Sequence, residues 1–418
     1  MSRVLFIGCP RSYGHTYPTL GLVAELVKNG ETVLYLSTEE FRKPIQSVGA
    51  EFIGYPEQSD TYKSSKKQQE DFYLHFLNSC IHANYYYKHM ENVVQYTVQR
   101  RKFEYVIFDE SAPWGKSIAR KWDVPAICSI TKFAYCETIW KQYREILLNN
   151  VLQVPEIYLA KSGDVEEVID KLQKCLKILK NKFEYGDGGW GSYFSNTADL
   201  NIVYTSREFQ LHGEYDDSFK FIGPDITYRN NFAEESVGLD NRHLLYISMG
   251  TSDYNLDFIQ LCVQAFGGTK YSVLISAGKQ FKPACLKALP SNVTILNFVN
   301  QIEVLKHARL FISHGGMNST NEALLYGVPL VVCPQRGDQF LVAKRIEELE
   351  LGVNIHMKSL SPRILYEVAD RITQNQQIYS NCKAIGRKLR EAGGARKGVQ
   401  EIMLFKKIVA LDNNGRNS

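Results

Sequence analysis

Val4 to Gly8 is a short apolar run closed by a glycine, with no alternation of polar and apolar residues. A run of that length and uniformity suits a strand buried on both faces, the kind found in parallel sheets. A polar loop containing Gly14-His15 follows. Pro18 to Lys28 then carries Leu20, Val23, Ala24 and Val27 at helical spacing and stops at Asn29-Gly30, a helix-ending pair. Thr32 to Leu36 is the next apolar run. Strand, helix and strand in that order make a βαβ opening, which commits the chain to a doubly wound α/β sheet.

The pattern returns at Tyr105 to Phe108, with a helix predicted over Trp114 to Lys121, and at Ala126 to Ile130. Between these units lie long helical stretches, about Asp71 to Arg101, Glu137 to Asn149 and Val165 to Lys182, and a Gly186-Asp187-Gly188-Gly189 run that reads as a loop. A second series of strands is predicted at Leu244 to Ser248, Ser272 to Ser276, Val293 to Leu296, Leu310 to Ser313 and Pro329 to Cys333. The polar segment from about Asp225 to Asn241 suits a linker. The expected architecture is two Rossmann-like doubly wound domains facing across a cleft. Residues 1–220 are expected to form the N-terminal domain and 221–385 the C-terminal one. Residues 386–418 form a helix returning to the first domain, with a frayed tail from Asp412.

A chain of 418 residues exceeds one ordinary core, in keeping with two domains. Its 49 basic and 45 acidic residues leave a formal charge of +4, too little to argue for nucleic acid or an anionic membrane. The nine cysteines are scattered without a CxxC pair, which argues against a disulfide framework or a zinc site. No leader is read in the N-terminal residues and no apolar window reaches the ~18 residues of a membrane span, so the expected location is the cytoplasm.

The richest stretch is Phe298 to Gln339. A strand ends at Ser313, and His314-Gly315-Gly316-Met317-Asn318-Ser319 turns into a helix predicted to start near Thr320. Glycines let backbone N–H groups approach a ligand, and a helix N-terminus offers unpaired donors at the positive end of its dipole. With the side chains of His314, Asn318 and Ser319, the turn is suited to a diphosphate without a metal. Glu322, one turn further on, could take ribose hydroxyls, and Asp338-Gln339 could read sugar hydroxyls.

This stretch resembles the donor signature of the UDP-glycosyltransferase superfamily, glycosyltransferase family 1 with the GT-B fold, and in particular bacterial macrolide-type glycosyltransferases. The likeness extends over nearly the whole chain, including Gly14, His15, Pro18 and Leu20 of a GHxxPxL loop, Phe221-Ile222-Gly223-Pro224, and Ser248-Met249-Gly250-Thr251. It implies that His314, Gly316, Asn318 and Ser319, with Ser248 and Thr251, hold the diphosphate. It further implies that Glu322 binds the ribose, that Phe298, Val299 and Gln301 line the base, and that Asp338 and Gln339 bind the sugar. Phe298 stands where many relatives carry Trp, and Met317 where the plant branch has Trp. Glu322 favours UDP over deoxythymidine donors.

Glycosyl transfer with inversion needs a base for the acceptor hydroxyl, on the side opposite the leaving diphosphate. His15 is the candidate, with Asp109 at the end of the Tyr105–Phe108 run to orient it; the resemblance implies the same dyad. Glu110, next in the chain, is expected to point away and to be structural. Tyr85-Tyr86-Tyr87 and His75, His82 and His89 read as a polar packing face rather than a metal site. The expected activity is an inverting, metal-independent transfer of a hexose, glucose foremost, from a UDP-sugar co-substrate to a hydroxyl of a small apolar acceptor such as a macrolide, polyketide or flavonoid. No cofactor is expected. An epimerase or hydrolase of UDP-sugars, and a non-catalytic partner protein, are the alternatives.

Overall fold

The computed structural model describes residues 2–55, 72–98, 101–156, 165–183, 196–228, 243–250, 255–278, 280–282 and 289–416. The chain divides into two compact units. One comprises Met1–Tyr204, Leu211–Asp225 and Gly393–Ser418, the other Thr205–Gln210 and Ile226–Ala392.

The first unit is built on a parallel sheet of seven strands: β1 (Arg3–Ile7), β2 (Thr32–Ser37), β3 (Glu51–Gly54), β4 (Tyr105–Asp109), β5 (Ala126–Ile130), β6 (Leu200–Val203) and β7 (Phe219–Phe221), in the order β3-β2-β1-β4-β5-β6-β7. The central strand β1 pairs with β2 and β4 on its two edges, Val4 aligning with Val33 on one side and Tyr105 on the other. Val4, Leu5, Phe6 and Ile7 have no exposed surface, which explains the absence of alternation in their sequence: helices cover both faces of the sheet. The Leu20–Lys28 helix follows a single turn at Tyr17–Thr19, where Pro18 supplies a preset φ and lacks an N–H the first turn would leave unpaired.

The Phe72–Thr97 and Val165–Phe183 helices form a satellite core through Phe76, Cys80, Val168, Leu172, Cys175 and Leu176. The continuous helix expected over Glu137 to Asn149 is instead broken into Glu137–Gln142, Arg144–Ile146 and a wider π turn at Leu147–Val151, because Tyr143 departs from helical ψ. The C-terminal helix, Gly394–Arg416, packs on this unit. Val399 and Ile402 are buried, Lys406 Nζ reaches Glu31 Oε1 and Ser2 Oγ at 2.7 Å each, and the Gly394 N–H donates to the Ile222 carbonyl. The frayed tail expected from Asp412 is helical through Arg416. Ile222 also donates to the Val203 carbonyl, so the Phe221-Ile222-Gly223-Pro224 segment finishes the first sheet.

The second unit repeats the design with β8 (Leu244–Ser248), β9 (Ser272–Ser276), β10 (Val293–Leu296), β11 (Leu310–Ser313), β12 (Leu330–Val332) and β13 (Gly352–Asn354), all parallel, in the order β10-β9-β8-β11-β12-β13. Both sheets thus reverse their winding direction at one place, between β1 and β4 and between β8 and β11. At such a switch point the crossovers leave in opposite directions, and the gap at the carboxyl ends of the two strands is where ligands of this architecture bind. Most of the expected linker, and the Gly186 to Gly189 run, lie outside the described residues. No helix among the described residues is long and apolar enough to cross a membrane.

Candidate functional site

At the switch point of the first sheet, the loop after β1 folds into a single turn, Tyr13–Thr16, which carries His15. Three contacts hold the turn. The N–H groups of His15 and Thr16 donate to the Ser12 carbonyl, and the Arg11 N–H donates to Thr38 Oγ1 at 3.0 Å. The rings of Tyr13 and Tyr17, on either side of His15, pack edge-on against Phe41. Arg11 has a φ of 54°, a left-handed conformation that costs a non-glycine residue about 1–2 kcal/mol.

Asp109 is the last residue of β4. Because β1 and β4 are neighbours, the 94 positions between His15 and Asp109 close to a contact: Nδ1 lies 2.9 Å from Oδ1 and 3.0 Å from Oδ2. An ionised carboxylate only accepts, so Nδ1 carries the hydrogen and Nε2 is left with the lone pair. Asp109 Oδ1 also accepts from the Ser111 N–H at 2.8 Å. The histidine side chain is 16% exposed and the aspartate 1%, so the pair is largely out of water while the ring keeps an opening to it. Burial pulls the His15 pKa down, but the charge and hydrogen bond of Asp109 more than offset this and hold it above the ordinary histidine value, with Glu110 adding to the rise and Lys132 opposing it.

Glu110 departs from expectation. It does not point away: Oε1 lies 3.9 Å from His15 Nδ1 and 3.8 Å from Lys132 Nζ, and it accepts from the N–H and hydroxyl of Thr131. Strict alternation of sides lapses here because Glu110 follows the last residue of the strand. Neither Glu110's inward turn nor the arrival of Thr131 and Lys132 after β5 has a local sequence signal. Cys9 completes the cluster. Its sulfur, a His15 nitrogen and an Asp109 oxygen lie within 4.8 Å of one another, the one group of possible metal ligands among the described residues. Burial pushes the Cys9 thiol well above its usual range, with Asp109 adding to the rise. The side chains of His75 and His82 lie outside the described residues, and His89 is exposed.

At the second switch point, Ser248 ends β8 and Ser313 ends β11. The helix expected near Thr320 begins earlier, at Met317, with Gly316 as its cap residue. Gly316 has no side chain with which to cap, and the helix presents the positive end of its dipole at this switch point. The His314 ring sits between two glycines. A Cβ on Gly316 would lie 2.7 Å from Nε2, and one on Gly250, whose φ is +86°, 2.7 Å from Cε1. Neither position admits a side chain without moving the imidazole.

Glu322, on the same helix, is buried. Its Oε2 accepts from Gln301 Nε2, which also donates to Ser319 Oγ at 3.0 Å, while Gln301 Oε1 accepts from Tyr246 at 3.1 Å. The structure therefore joins Gln301, Ser319 and Glu322 in one network, with Gln301 fixing the carboxylate. Phe298 and Val299 are half-buried just before Gln301. Asp338 and Gln339 open the helix that follows β12, and Gln339 Oε1 accepts the N–H groups of Gln335 and Arg336, which rigidifies that loop. Thr251 lies outside the described residues.

Comparison with known proteins bears on what this arrangement is for. The family described as erythromycin biosynthesis protein CIII-like, C-terminal domain, matches residues 265–410. The uncharacterized UDP-glucosyltransferase YojK of Bacillus subtilis (strain 168) is 31% identical over 96% of this chain and 97% of its own length. The NDP-glycosyltransferase YjiC of the same organism is 32% identical over 96% of each chain. Demethyllactenocin mycarosyltransferase of Streptomyces fradiae is 27% identical over 94% of this chain and 84% of its own length. Among solved structures, CalG4, the calicheamicin glycosyltransferase, superimposes with a TM-score of 0.78 at 26% identity, covering 97% of this chain and 98% of that one. With this coverage and the two parallel Rossmann-like sheets, the chain belongs to the UDP-glycosyltransferase superfamily, in its bacterial macrolide-type branch, and is a UDP-dependent glycosyltransferase of the GT-B fold.

Proposed function

We propose that this glycosyltransferase moves a hexose, glucose foremost, from a UDP-sugar to a hydroxyl of a small apolar natural product, with inversion and without a metal ion. The observation that carries the mechanism is the His15–Asp109 pair at the first switch point. Nε2 of His15 takes the acceptor proton as the hydroxyl oxygen attacks the anomeric carbon and the bond from that carbon to the diphosphate breaks. A single displacement inverts the centre. Asp109 stabilises the imidazolium as it forms. The choice of glucose and of a natural-product acceptor draws on the names of the relatives, a UDP-glucosyltransferase, a demethyllactenocin mycarosyltransferase and a calicheamicin glycosyltransferase.

In the second unit the diphosphate lies on the Met317–Leu325 helix N-terminus with Ser248, Thr251, His314, Asn318 and Ser319. The ribose is held by Glu322, and the base by Phe298, Val299 and Gln301. The sugar is read by Asp338 and Gln339. A hydrogen bond to a charged group is worth about 1.5–3 kcal/mol, so His314→Ala and Glu322→Ala should each weaken UDP binding about tenfold or more. Titration calorimetry with UDP measures this, and unchanged affinity in both variants would remove the donor-site assignment.

Mass spectrometry of reactions with UDP-glucose and a panel of phenolic and polyketide acceptors tests the transfer itself. A hexose increment on an acceptor is the expected result, and it should persist undiminished in EDTA, because helix N–H groups and side-chain donors neutralise the diphosphate in this scheme. A strict requirement for a divalent ion contradicts the metal-free scheme. Release of free or altered sugar without acceptor would instead identify a hydrolase or epimerase.

A further inference from the structure

The Glu110 carboxylate and the Thr131 hydroxyl stand beside the proposed base without a role in the dyad. Glu110 Oε1 accepts from the Thr131 N–H at 3.3 Å and from its hydroxyl at 3.2 Å, and Thr131 Oγ1 lies 3.1 Å from His15 Nδ1. Glu110 is 5% exposed and Thr131 3%, so water does not compete for these bonds. A hydroxyl has one proton to give. With that proton directed to Glu110, Oγ1 meets His15 with lone pairs only. Nδ1 then faces three acceptor oxygens, two from Asp109 and one from Thr131, and must hold the hydrogen. Without Glu110 the hydroxyl is free to rotate and donate to Nδ1, which would place the ring hydrogen on Nε2 and block it as a proton acceptor.

We propose that Glu110 is a positioning residue for the base, acting through Thr131 to hold His15 in the tautomer with hydrogen on Nδ1 and the lone pair on Nε2. The proposal rests on His15 being the base. The groups that face Glu110 are Asp109 beside it, His15 from the turn after β1, Lys132 after β5, and the thiols of Cys9 and Cys128. Burial raises both thiols well above their usual range, so neither brings a charge. Burial also raises the nearby Tyr35 and Tyr204 phenols, which stay neutral. Charge on the cluster therefore comes from two carboxylates, one ammonium and the imidazole. Burial raises the Glu110 pKa as well, and Asp109 adds to the rise, while Lys132, His15 and the Thr131 hydrogen bond favour its ionised form; as a carboxylate it adds to Asp109 in favouring protonated His15 and offsets Lys132.

Two variants separate this from a merely structural ion pair with Lys132. Glu110→Gln removes a negative charge that favours protonated His15, so the acid limb of the kcat/KM profile should move to lower pH. Thr131→Val keeps both carboxylates, so that limb should stay in place while kcat falls about 2- to 12-fold, the equivalent of one hydrogen bond. Thr131→Ser should recover most of the loss. The tautomer is read without any acceptor from ¹⁵N spectra of the His15 ring. Wild type should show hydrogen on Nδ1 in the neutral ring, and so should Thr131→Val, where the Asp109 oxygens still accept and no hydroxyl can donate, whereas Glu110→Ala, which deprives the Thr131 hydroxyl of its acceptor, should show a mixture of tautomers.

Thr131→Val carries the test through kcat should the Glu110 variants not fold. A wild-type tautomer in Glu110→Ala, or a wild-type kcat in Thr131→Val, overturns the proposal. Parallel assays of His15→Ala keep the two readings apart. An active His15→Ala removes the base itself, whereas an inactive one beside fully active Glu110 and Thr131 variants removes only the positioning role.

Discussion

His15→Ala is expected to lower kcat by about 10²–10⁴, the range of general base catalysis, and to leave the affinity for UDP unchanged. The asymmetry follows from the division of roles. His15 is proposed as the base and is not among the proposed donor residues, so in this scheme removing the imidazole deletes a proton acceptor and leaves the donor residues intact. Alanine also leaves the buried Asp109 carboxylate with the Ser111 N–H and without its charged partner, which predicts a lower melting temperature as a separate effect. Kinetics measured well below that temperature remove the ambiguity, and added imidazole should restore part of the rate if the lost group acted as a base. A variant that folds, binds UDP and turns over at the wild-type rate would eliminate His15 as the base. A variant that loses UDP affinity as well would place His15 in the donor site instead.

The contact between His15 and Asp109 was legible in the sequence because a parallel sheet brings the residues at the carboxyl ends of neighbouring strands together. β1 and β4 are central strands, buried on both faces, and their continuous apolar runs announce them; His15 and Asp109 follow as polar residues where those runs stop. The same logic exposed β8 to β11 and the glycine-flanked His314 turn. What escaped lies where that signal fails. β3, β7 and β13 are short edge strands of half-exposed or exposed residues, and a strand with one open side needs no apolar run. β6 carries Asn201, buried and bonded to the Ala198 backbone and Ser218, which interrupts the pattern that would have revealed it. Glu110 and Thr131 escaped for a different reason. Their meeting depends on β5 lying beside β4, a tertiary fact, and nothing in either residue's neighbours distinguishes a buried carboxylate from a solvated one.

Asp109→Asn is expected to have the second largest effect, a fall in kcat of about 10²–10⁴ together with an acid limb that moves to lower pH. An asparagine amide can donate to Nδ1, which carboxylate oxygens cannot. Such a bond would drive the ring hydrogen to Nε2 and remove the lone pair the mechanism needs, so the plateau rate drops at every pH. The acid limb has its own sign. In the wild type Asp109 raises the His15 pKa against the effect of burial, so the neutral, active ring appears only above the ordinary value of about 6.5. Without the carboxylate charge, burial and Lys132 dominate, the pKa falls, and the residual activity should persist to lower pH than in wild type. Stability follows the same linkage. A histidine whose pKa is raised on folding stabilises the native state fully below about pH 6.5 and loses that contribution as pH rises through the folded value, so the stability deficit of Asp109→Asn should be larger in acid than in base. A lower plateau with an unmoved acid limb would mean that Asp109 orients the ring without setting its charge. An unmoved plateau would mean that the pair at 2.9 Å is structural and that the acceptor proton leaves by another route.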